Sequence, residues 1–240
     1  MKQIILVFLM CFTLAVLVPG CLQTKEVNPA YVNQTTLDNL GWIMSGEPQV
    51  ESMSQMVGDV EVVMNTATVN YIDEALMMDI NRQITDLGVT KDSGNSEAQF
   101  TSLFMTIRVA LPAGIALPEQ VLTGIIDASI QNMDPGSDIK EFYQVGEETV
   151  TINTGSNVQA RSYEGYIESN DSGEDVKLKI RGVIASWSDE GTTTIVLGVL
   201  PAEDMILKVP TEVRRSETLT IAINEEQEYQ DILALIQNVE

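Results

Sequence analysis

The chain has 240 residues, with 13 Lys and Arg against 35 Asp and Glu, no His, and a formal net charge of −22. Its length suffices for one large or two small domains with a real core. A hydrophobic share of 44% with only 5% aromatic residues indicates a folded chain with an aliphatic interior. The charge excludes nucleic-acid binding because phosphates would be repelled, and the lack of His removes the usual general base and the commonest metal ligand.

The first twenty-one residues have the pattern of an export signal. Lys2 is the only charge before an apolar run of 15 residues from Ile4 to Val18, which suits a secretory signal and is shorter than the ~20 residues that span a bilayer. Val18-Pro19-Gly20-Cys21 resembles a lipobox, in which the signal is cut before a cysteine that then carries lipid. The alternative is an uncleaved N-terminal anchor. Both interpretations place an exported body on the outer face of the cytoplasmic membrane.

The cysteines support this interpretation. Cys11 lies inside the signal and Cys21 is the expected lipidation site, so residues 22–240 contain no cysteine. The exported body must therefore be held together by packing and not by disulfides. Thiol nucleophiles and Cys/His zinc sites are excluded there as well. We predict a signal peptide at 1–20, a lipidated tether at 21–34 and an extracytoplasmic domain at 35–240, with a possible sub-boundary near 134–140.

The first half of the domain shows both helical and extended patterns. Thr36–Leu40 predicts one or two helical turns. Residues 49–72 predict two strands joined by a turn at Val57-Gly58-Asp59-Val60. In chain order there follow a short helix around 75–78, a loop at 90–99, a strand at 100–111 that is apolar on both faces and therefore central, and an amphipathic helix from Pro118 to about Met133.

The second half has the pattern of a series of hairpins. We predict strands at 142–145, 148–154, 158–168, 176–187 and 192–200, with turns at 145–147, 154–156, 170–173 and 189–191 that each contain Gly. Alternation of apolar residues with Lys177, Lys179 and Arg181 indicates a sheet with one solvent-exposed face. After a linker, Asn224-Glu225-Glu226-Gln227 forms a capping box that starts a final helix. The predicted fold class is α+β, mostly antiparallel sheet with a central amphipathic helix and a C-terminal helix packed on it.

Several of these motifs carry a resemblance to known families. The segments that resemble a family of archaeal secreted lipoproteins of unknown function are Leu40-Gly41-Trp42, 57–62, Tyr71, 104–112, 145–150, Tyr163-Glu164-Gly165 and 196–201. From about Asp138 the chain also resembles the PsbP-like fold, curved antiparallel strands closed by a terminal helix. That resemblance implies an accessory or assembly subunit docked on a larger membrane complex, and it carries no catalytic residues over.

Candidate binding residues are few. Asp134, Asp138 and Glu141 flank a Gly turn and could supply oxygen ligands to Ca²⁺; the alternative is a helix end followed by a strand, with no cofactor. Two sequons, at Asn33 and Asn170, are candidates for glycosylation.

Methionines could form an adaptable binding surface, although core packing is the commoner role. The set is Met53, Met56, Met64, Met77 and Met78. The pair Met77-Met78 is the one whose exposure would decide between the two roles.

These patterns favour a membrane-anchored lipoprotein acting as a non-enzymatic binding or accessory module, docked on a membrane complex or cell-envelope component. Such a module predicts an exposed apolar or Met-containing patch of several hundred Å². The alternative is a small-ligand or cation-binding lipoprotein, which requires a formed pocket. A third possibility is an enzyme that uses carboxylates alone, which requires two acids facing one another in a cleft. No Ser-His, Walker or dinucleotide motif is present.

Overall fold

A computed structural model describes residues 26–57, 60–86, 101–110, 137–169, 176–189, 191–209 and 217–240. The helices are α1 (Gln34–Leu40), α2 (Glu74–Asp86) and α3 (Glu225–Gln237). The strands are β1 (Trp42–Met44), β2 (Gln49–Val57), β3 (Val60–Asp73), β4 (Leu103–Ala110), β5 (Ser137–Thr151), β6 (Asn157–Ser169), β7 (Val176–Asp189), β8 (Thr192–Pro201), β9 (Met205–Val209) and β10 (Glu217–Ile221).

One antiparallel sheet organises the described chain. Its strand order is β1-β3-β4-β8-β7-β6-β5, and β2 pairs with β3 beyond the end of β1, so that β1 and β2 share one edge. β9 and β10 form a separate two-stranded hairpin. The predicted α+β class with mostly antiparallel sheet is confirmed.

The apolar strands lie in the interior of the sheet. β4 pairs with β3 on one side and with β8 on the other, and both β4 and β8 are buried on both faces. This confirms the prediction that the strand near 100–111 is central, because a strand flanked and covered on both sides carries apolar residues at successive positions.

One face of the sheet carries α3 and the chain segment before α1. Ile232 and Ile236 of α3 are fully buried there. The core beneath them includes Val69, Phe104, Val183, Val196 and Leu200. Asn224 caps α3 by accepting a hydrogen bond from the Gln227 N–H at 3.3 Å, as the capping box predicts.

Three predictions about local structure were wrong. Residues 145–147 are not a turn, since β5 is one strand whose pairing with β6 shifts register between Lys140 and Tyr143 and again between Gln144 and Gly146. Gly permits such β-bulges as readily as it permits turns. The linker before α3 contains the β9–β10 hairpin. The short helix near 75–78 is the beginning of the 13-residue helix α2.

Other predictions lie outside the described residues. They are the signal peptide and Cys21, the helix from Pro118, the turn at 170–173, and the candidate residues Asp134 and Asn170. These remain predictions.

Candidate functional site: an exposed apolar edge and a buried carboxyl pair

The described part of the predicted tether packs on the domain. Val27, Ala30 and Val32 are buried. Val27 forms a small apolar cluster with Ala67 of β3 and Ala110 of β4. These contacts fix the direction in which the chain reaches the domain.

The same segment then crosses the sheet in an extended form. The Ala30 carbonyl accepts a hydrogen bond from Thr106 Oγ1 on β4, and the Val32 N–H donates to Tyr71 Oη on β3 at 2.9 Å. The chain therefore enters at the Ala67 end of β3 and runs toward the Tyr71 end.

Exposed apolar side chains lie on the edge strands β1 and β2 and on the neighbouring strand β3, near this entry point. Val50 of β2 lies directly opposite Ala67, Met44 of β1 lies opposite Tyr71, and Val63 is four residues before Ala67 on β3. Because paired residues and alternate residues share a face, the three side chains lie on the face that Val27 covers. Val50 is 60% exposed, Met44 44% and Val63 40%. We call these three residues the edge stripe.

The methionines divide between core and surface. Met64 is buried and Met78 of α2 is 59% exposed, while its neighbour Met77 is half-buried. The side chains of Met53 and Met56 lie outside the described part. Met78 is therefore a surface residue, as the adaptable-surface interpretation of that pair requires.

Two of the three predicted metal ligands lie in β5, and the third, Asp134, lies outside the described residues. Asp138 lies in β5 opposite Glu168 of β6, and Glu141 is exposed at the first bulge of the same strand, with φ +54°. Within the described ranges, no group of three Asp, Glu, His or Cys side chains is arranged to hold a metal ion.

The sequon residue Asn33 has a structural role. Its side-chain oxygen accepts from the Thr35 N–H at 3.0 Å and caps α1. Its amide nitrogen donates to Glu240 Oε1 at 2.8 Å. A glycan on that nitrogen would have to share or displace this contact.

A pair of carboxyls that the sequence did not single out lies in the interior. Asp73 ends β3 and accepts a hydrogen bond from the Leu76 N–H at 2.8 Å, which caps α2. Glu228 in the first turn of α3 accepts from Ser102 Oγ at 2.6 Å. Asp73 is 2% exposed and Glu228 7%. The two carboxyl groups lie close enough to interact with each other, and a hydrogen bond between them needs a proton on one of them because carboxylates only accept.

The surroundings place that proton on Asp73. Burial raises the pKa of Asp73 to about 8, against the lowering effect of the Leu76 N–H and with the negative charge of Glu228 as a further cause. Burial also raises the pKa of Glu228, while hydrogen bonds from Ser102 and Asp73 lower it. The further raising of the Asp73 pKa by the charge of Glu228, and the lowering of the Glu228 pKa by its contact with Asp73, favour Asp73 as the donor and Glu228 as the acceptor.

A third carboxyl adds to this charge. Asp231 of α3 is 8% exposed and accepts a hydrogen bond from the Gln227 side chain at 2.7 Å. Burial raises the pKa of Asp231, opposed by the Gln227 contact. Its negative charge acts on both Asp73 and Glu228.

A second polar contact ties α3 to the sheet. Arg181 of β7 contacts Glu225 Oε1 at 2.8 Å and lies 5.0 Å from the ring centroid of Tyr229. Lys179 of the same strand contacts Glu164 Oε2 at 2.9 Å. The face predicted to be solvent-exposed is therefore covered by α3 at Arg181, because the acidic first turn of the helix pairs with the basic residue beneath it.

These features decide what the arrangement can do chemically. Asp73 and Glu228 are two neighbouring acids, yet both are buried, and among the described residues they lack the open approach that an acid–base pair needs to reach a substrate. Trp42 lies opposite Asp73 on β1 and is 1% exposed. The carboxyl pair can exchange a proton with solvent only when the surrounding structure opens.

The comparisons with known proteins identify a family. A family model described as "Domain of unknown function (DUF6517)" matches residues 29–240. No curated protein and no solved structure gives a significant match. In the part of the chain that the structure describes, no helix combines the length and apolarity needed to cross a bilayer.

Proposed function

We propose that this chain, which belongs to the DUF6517 family, is an exported lipoprotein anchored through Cys21 to the outer face of the cytoplasmic membrane. Its domain serves as a non-enzymatic accessory module, and its edge stripe docks on the extracytoplasmic surface of an integral membrane protein. The observation that carries this proposal is the position of the edge stripe beside the point where the chain arrives from Cys21.

The chain length limits how far the domain stands from the membrane. Cys21 and Val27 are six residues apart in the sequence, and fully extended chain spans at most ~3.3–3.6 Å per residue. Val27, which is packed on the sheet, therefore lies within roughly 20 Å of a lipidated Cys21. Val50 is opposite the residue that Val27 contacts, so an anchor at Cys21 would bring this part of the edge stripe close to the membrane.

Charge and polarity favour a protein as the occupant. A chain with a formal net charge of −22 is repelled by anionic lipid headgroups, so a bare lipid surface is a poor partner. An exposed apolar stripe gains free energy when a complementary apolar surface covers it. An integral membrane protein within reach of the anchor offers such a surface, and tethering raises its effective concentration.

Two finer features belong to the same proposal. The motif resemblance supports an archaeal cell envelope as the setting. The resemblance to the PsbP-like fold applies to β5–β8 and α3, and it supports an accessory role on a larger complex.

Site-directed crosslinking in native membranes tests the proposal. Residues 22–240 contain no cysteine, so Val50→Cys introduces one reactive thiol into the body. Ile206→Cys on β9 is the matched control, because Ile206 is also 60% exposed but lies on the separate hairpin. Each variant is coupled to a thiol-reactive photocrosslinker, and the unsubstituted chain reports labelling at its own cysteines.

We expect Val50→Cys to crosslink to one defined integral membrane protein, and Ile206→Cys to give little or none of that product. Cys21→Ser should release the protein from the membrane fraction and abolish the product. Equal products from both positions, or no product from either, would overturn docking through the edge stripe. Retention of Cys21→Ser in the membrane fraction would overturn lipid anchoring separately.

A further inference from the structure

The Asp73–Glu228 contact joins parts of the fold that are distant in sequence. Asp73 lies at the junction of β3 and α2, Ser102 precedes β4, and Glu228 lies in α3. Among the described residues, this contact is where the start of α3 meets that junction through side chains. Its formation depends on one proton.

We propose that the Asp73–Glu228 pair is a proton-dependent latch that holds the start of α3 on the sheet, so that the domain is tightest in acid and loosens as its surroundings become mildly alkaline. At a pH below the pKa of Asp73, protonated Asp73 donates a hydrogen bond to Glu228, and the start of α3 stays packed on the sheet. Above it, two carboxylates face each other in a buried site, with Asp231 as a third negative charge. Their repulsion favours release of the first turns of α3.

Among the described residues, the charged side chains that act on Asp73 are both acidic. From β1 the neighbour of Asp73 is the uncharged Trp42, and from the segment before β4 the neighbours are the hydroxyls of Thr101 and Ser102. From α3 the facing charge is Asp231. From β7 the basic residue Arg181 is engaged with Glu225, at the start of α3.

The direction of the pH dependence follows from the raised pKa of Asp73. The folded chain retains a proton that the unfolded chain loses near the ordinary aspartate value of 3.8. Folding therefore becomes less favourable as pH rises from about 4 to about 8, and the loss levels off above the folded pKa of about 8.

The composition limits the number of other titrations in the relevant pH range. The chain contains no His, and ordinary Asp and Glu side chains are already ionised above pH ~6. Among the described residues, the acids whose pKa values burial raises toward this range are Asp73, Glu228 and the neighbouring Asp231. One retained proton with a pKa of about 8 changes the ratio of folded to unfolded protein by roughly fifty-fold over those two pH units.

Urea unfolding of the full chain, purified from membranes in a mild detergent, tests the latch at pH 6 and 8. Asp73→Asn is the principal variant, because Asn can still cap α2 and can donate its amide hydrogen to Glu228 without titrating. We expect the ratio of folded to unfolded wild-type protein to fall about fifty-fold between pH 6 and 8. The same ratio for Asp73→Asn should change by less than about threefold. Glu226→Gln, an exposed acid in the same turn of α3, is the matched control and should keep the wild-type slope.

Hydrogen exchange on the wild type provides a second measurement that needs no variant. We expect amide protection at 225–231 to fall between pH 6 and 8, after correction for intrinsic exchange, more than protection at 235–239. Glu228→Gln should also reduce the pH dependence of the ratio of folded to unfolded protein, because Gln can donate to an ionised Asp73 and accept from Ser102. This variant replaces Asp73→Asn as the test if Asp73→Asn does not fold. A wild-type folded ratio that changes by less than about threefold, or an Asp73→Asn slope equal to the wild type, would overturn the latch.

Discussion

Gly198→Ala should destabilise the domain by displacing α3 from the sheet. Gly198 lies in the middle of β8, opposite Phe104 of β4. A Cβ atom at this position would lie 2.6 Å from Cγ2 and 2.8 Å from Cδ1 of Ile232. Carbon atoms prefer separations of about 3.5–4.0 Å, so α3 or Ile232 would have to move by about 1 Å.

The expected cost is set by how little room exists for that movement. Ile232 is fully buried among core residues of the sheet, and overpacking of such a site costs typically ~1–3 kcal/mol. Ile232→Ala alone should cost about 2–5 kcal/mol through the cavity that it leaves. In the double variant, the methyl group added at position 198 occupies part of that cavity. The loss in free energy of unfolding should therefore be ~1–2 kcal/mol smaller in the double variant than the sum of the losses in the two single variants.

Urea unfolding of the four proteins of this cycle at pH 6 measures these free energies. Gly146→Ala is the matched control, because a Cβ atom there would meet its nearest neighbour at 3.9 Å, an ordinary contact distance. It should change the free energy of unfolding by less than ~1 kcal/mol. A Gly198→Ala cost below about 0.5 kcal/mol, which is the scatter of neutral surface changes, would refute the close packing of α3 on β8. Strict additivity with Ile232→Ala would refute it as well.

Two further changes test contacts around the same face. Tyr71→Phe removes the acceptor of the Val32 N–H and should lower the free energy of unfolding by ~1–3 kcal/mol, because it leaves a buried donor unpaired. Hydrogen exchange at the Val32 amide should accelerate, and unchanged exchange there would contradict the contact. Asn224→Ala removes the side-chain cap that accepts from the Gln227 N–H and should lower the free energy of unfolding in urea by about 1 kcal/mol. Asn224→Asp should retain most of the cap, so equal losses in the two variants would argue against a capping role for Asn224.

Much of the fold was predictable because its strands and last helix carry strong periodic signals. The strand around Phe104 is apolar at successive positions, as interior strands are, and Ile232 and Ile236 recur at helical spacing behind the Asn224 cap. The role of Gly146 was predicted wrongly because one glycine suits a bulge and a turn equally. The β9–β10 hairpin was missed because each strand has only five residues, too short for a clear period.

The candidate sites were harder to predict because each residue in them has a sufficient local explanation. Asp73 is explained as the residue that caps α2, and Glu228 is explained as an acid favoured at the positive end of a helix. With 35 acids in the chain, nothing local indicates that these two meet. Met44 and Val50 likewise share a face only through their pairing with β3, which no local sequence pattern indicates.

The last helix links the two proposals because its two ends are held by different kinds of contact. Glu228 is one turn before Ile232, so the latch and the Gly198 contact lie on the same face of α3. Beyond the other end, the Glu240 N–H donates to the Tyr31 carbonyl at 2.7 Å and Val239 bridges to Val32. Those neutral backbone bonds do not titrate, so loss of the proton loosens the start of α3 while its end stays attached to the segment that leads back to Cys21. Under the two proposals, the part of the domain nearest the anchor would therefore stay intact when the latch opens.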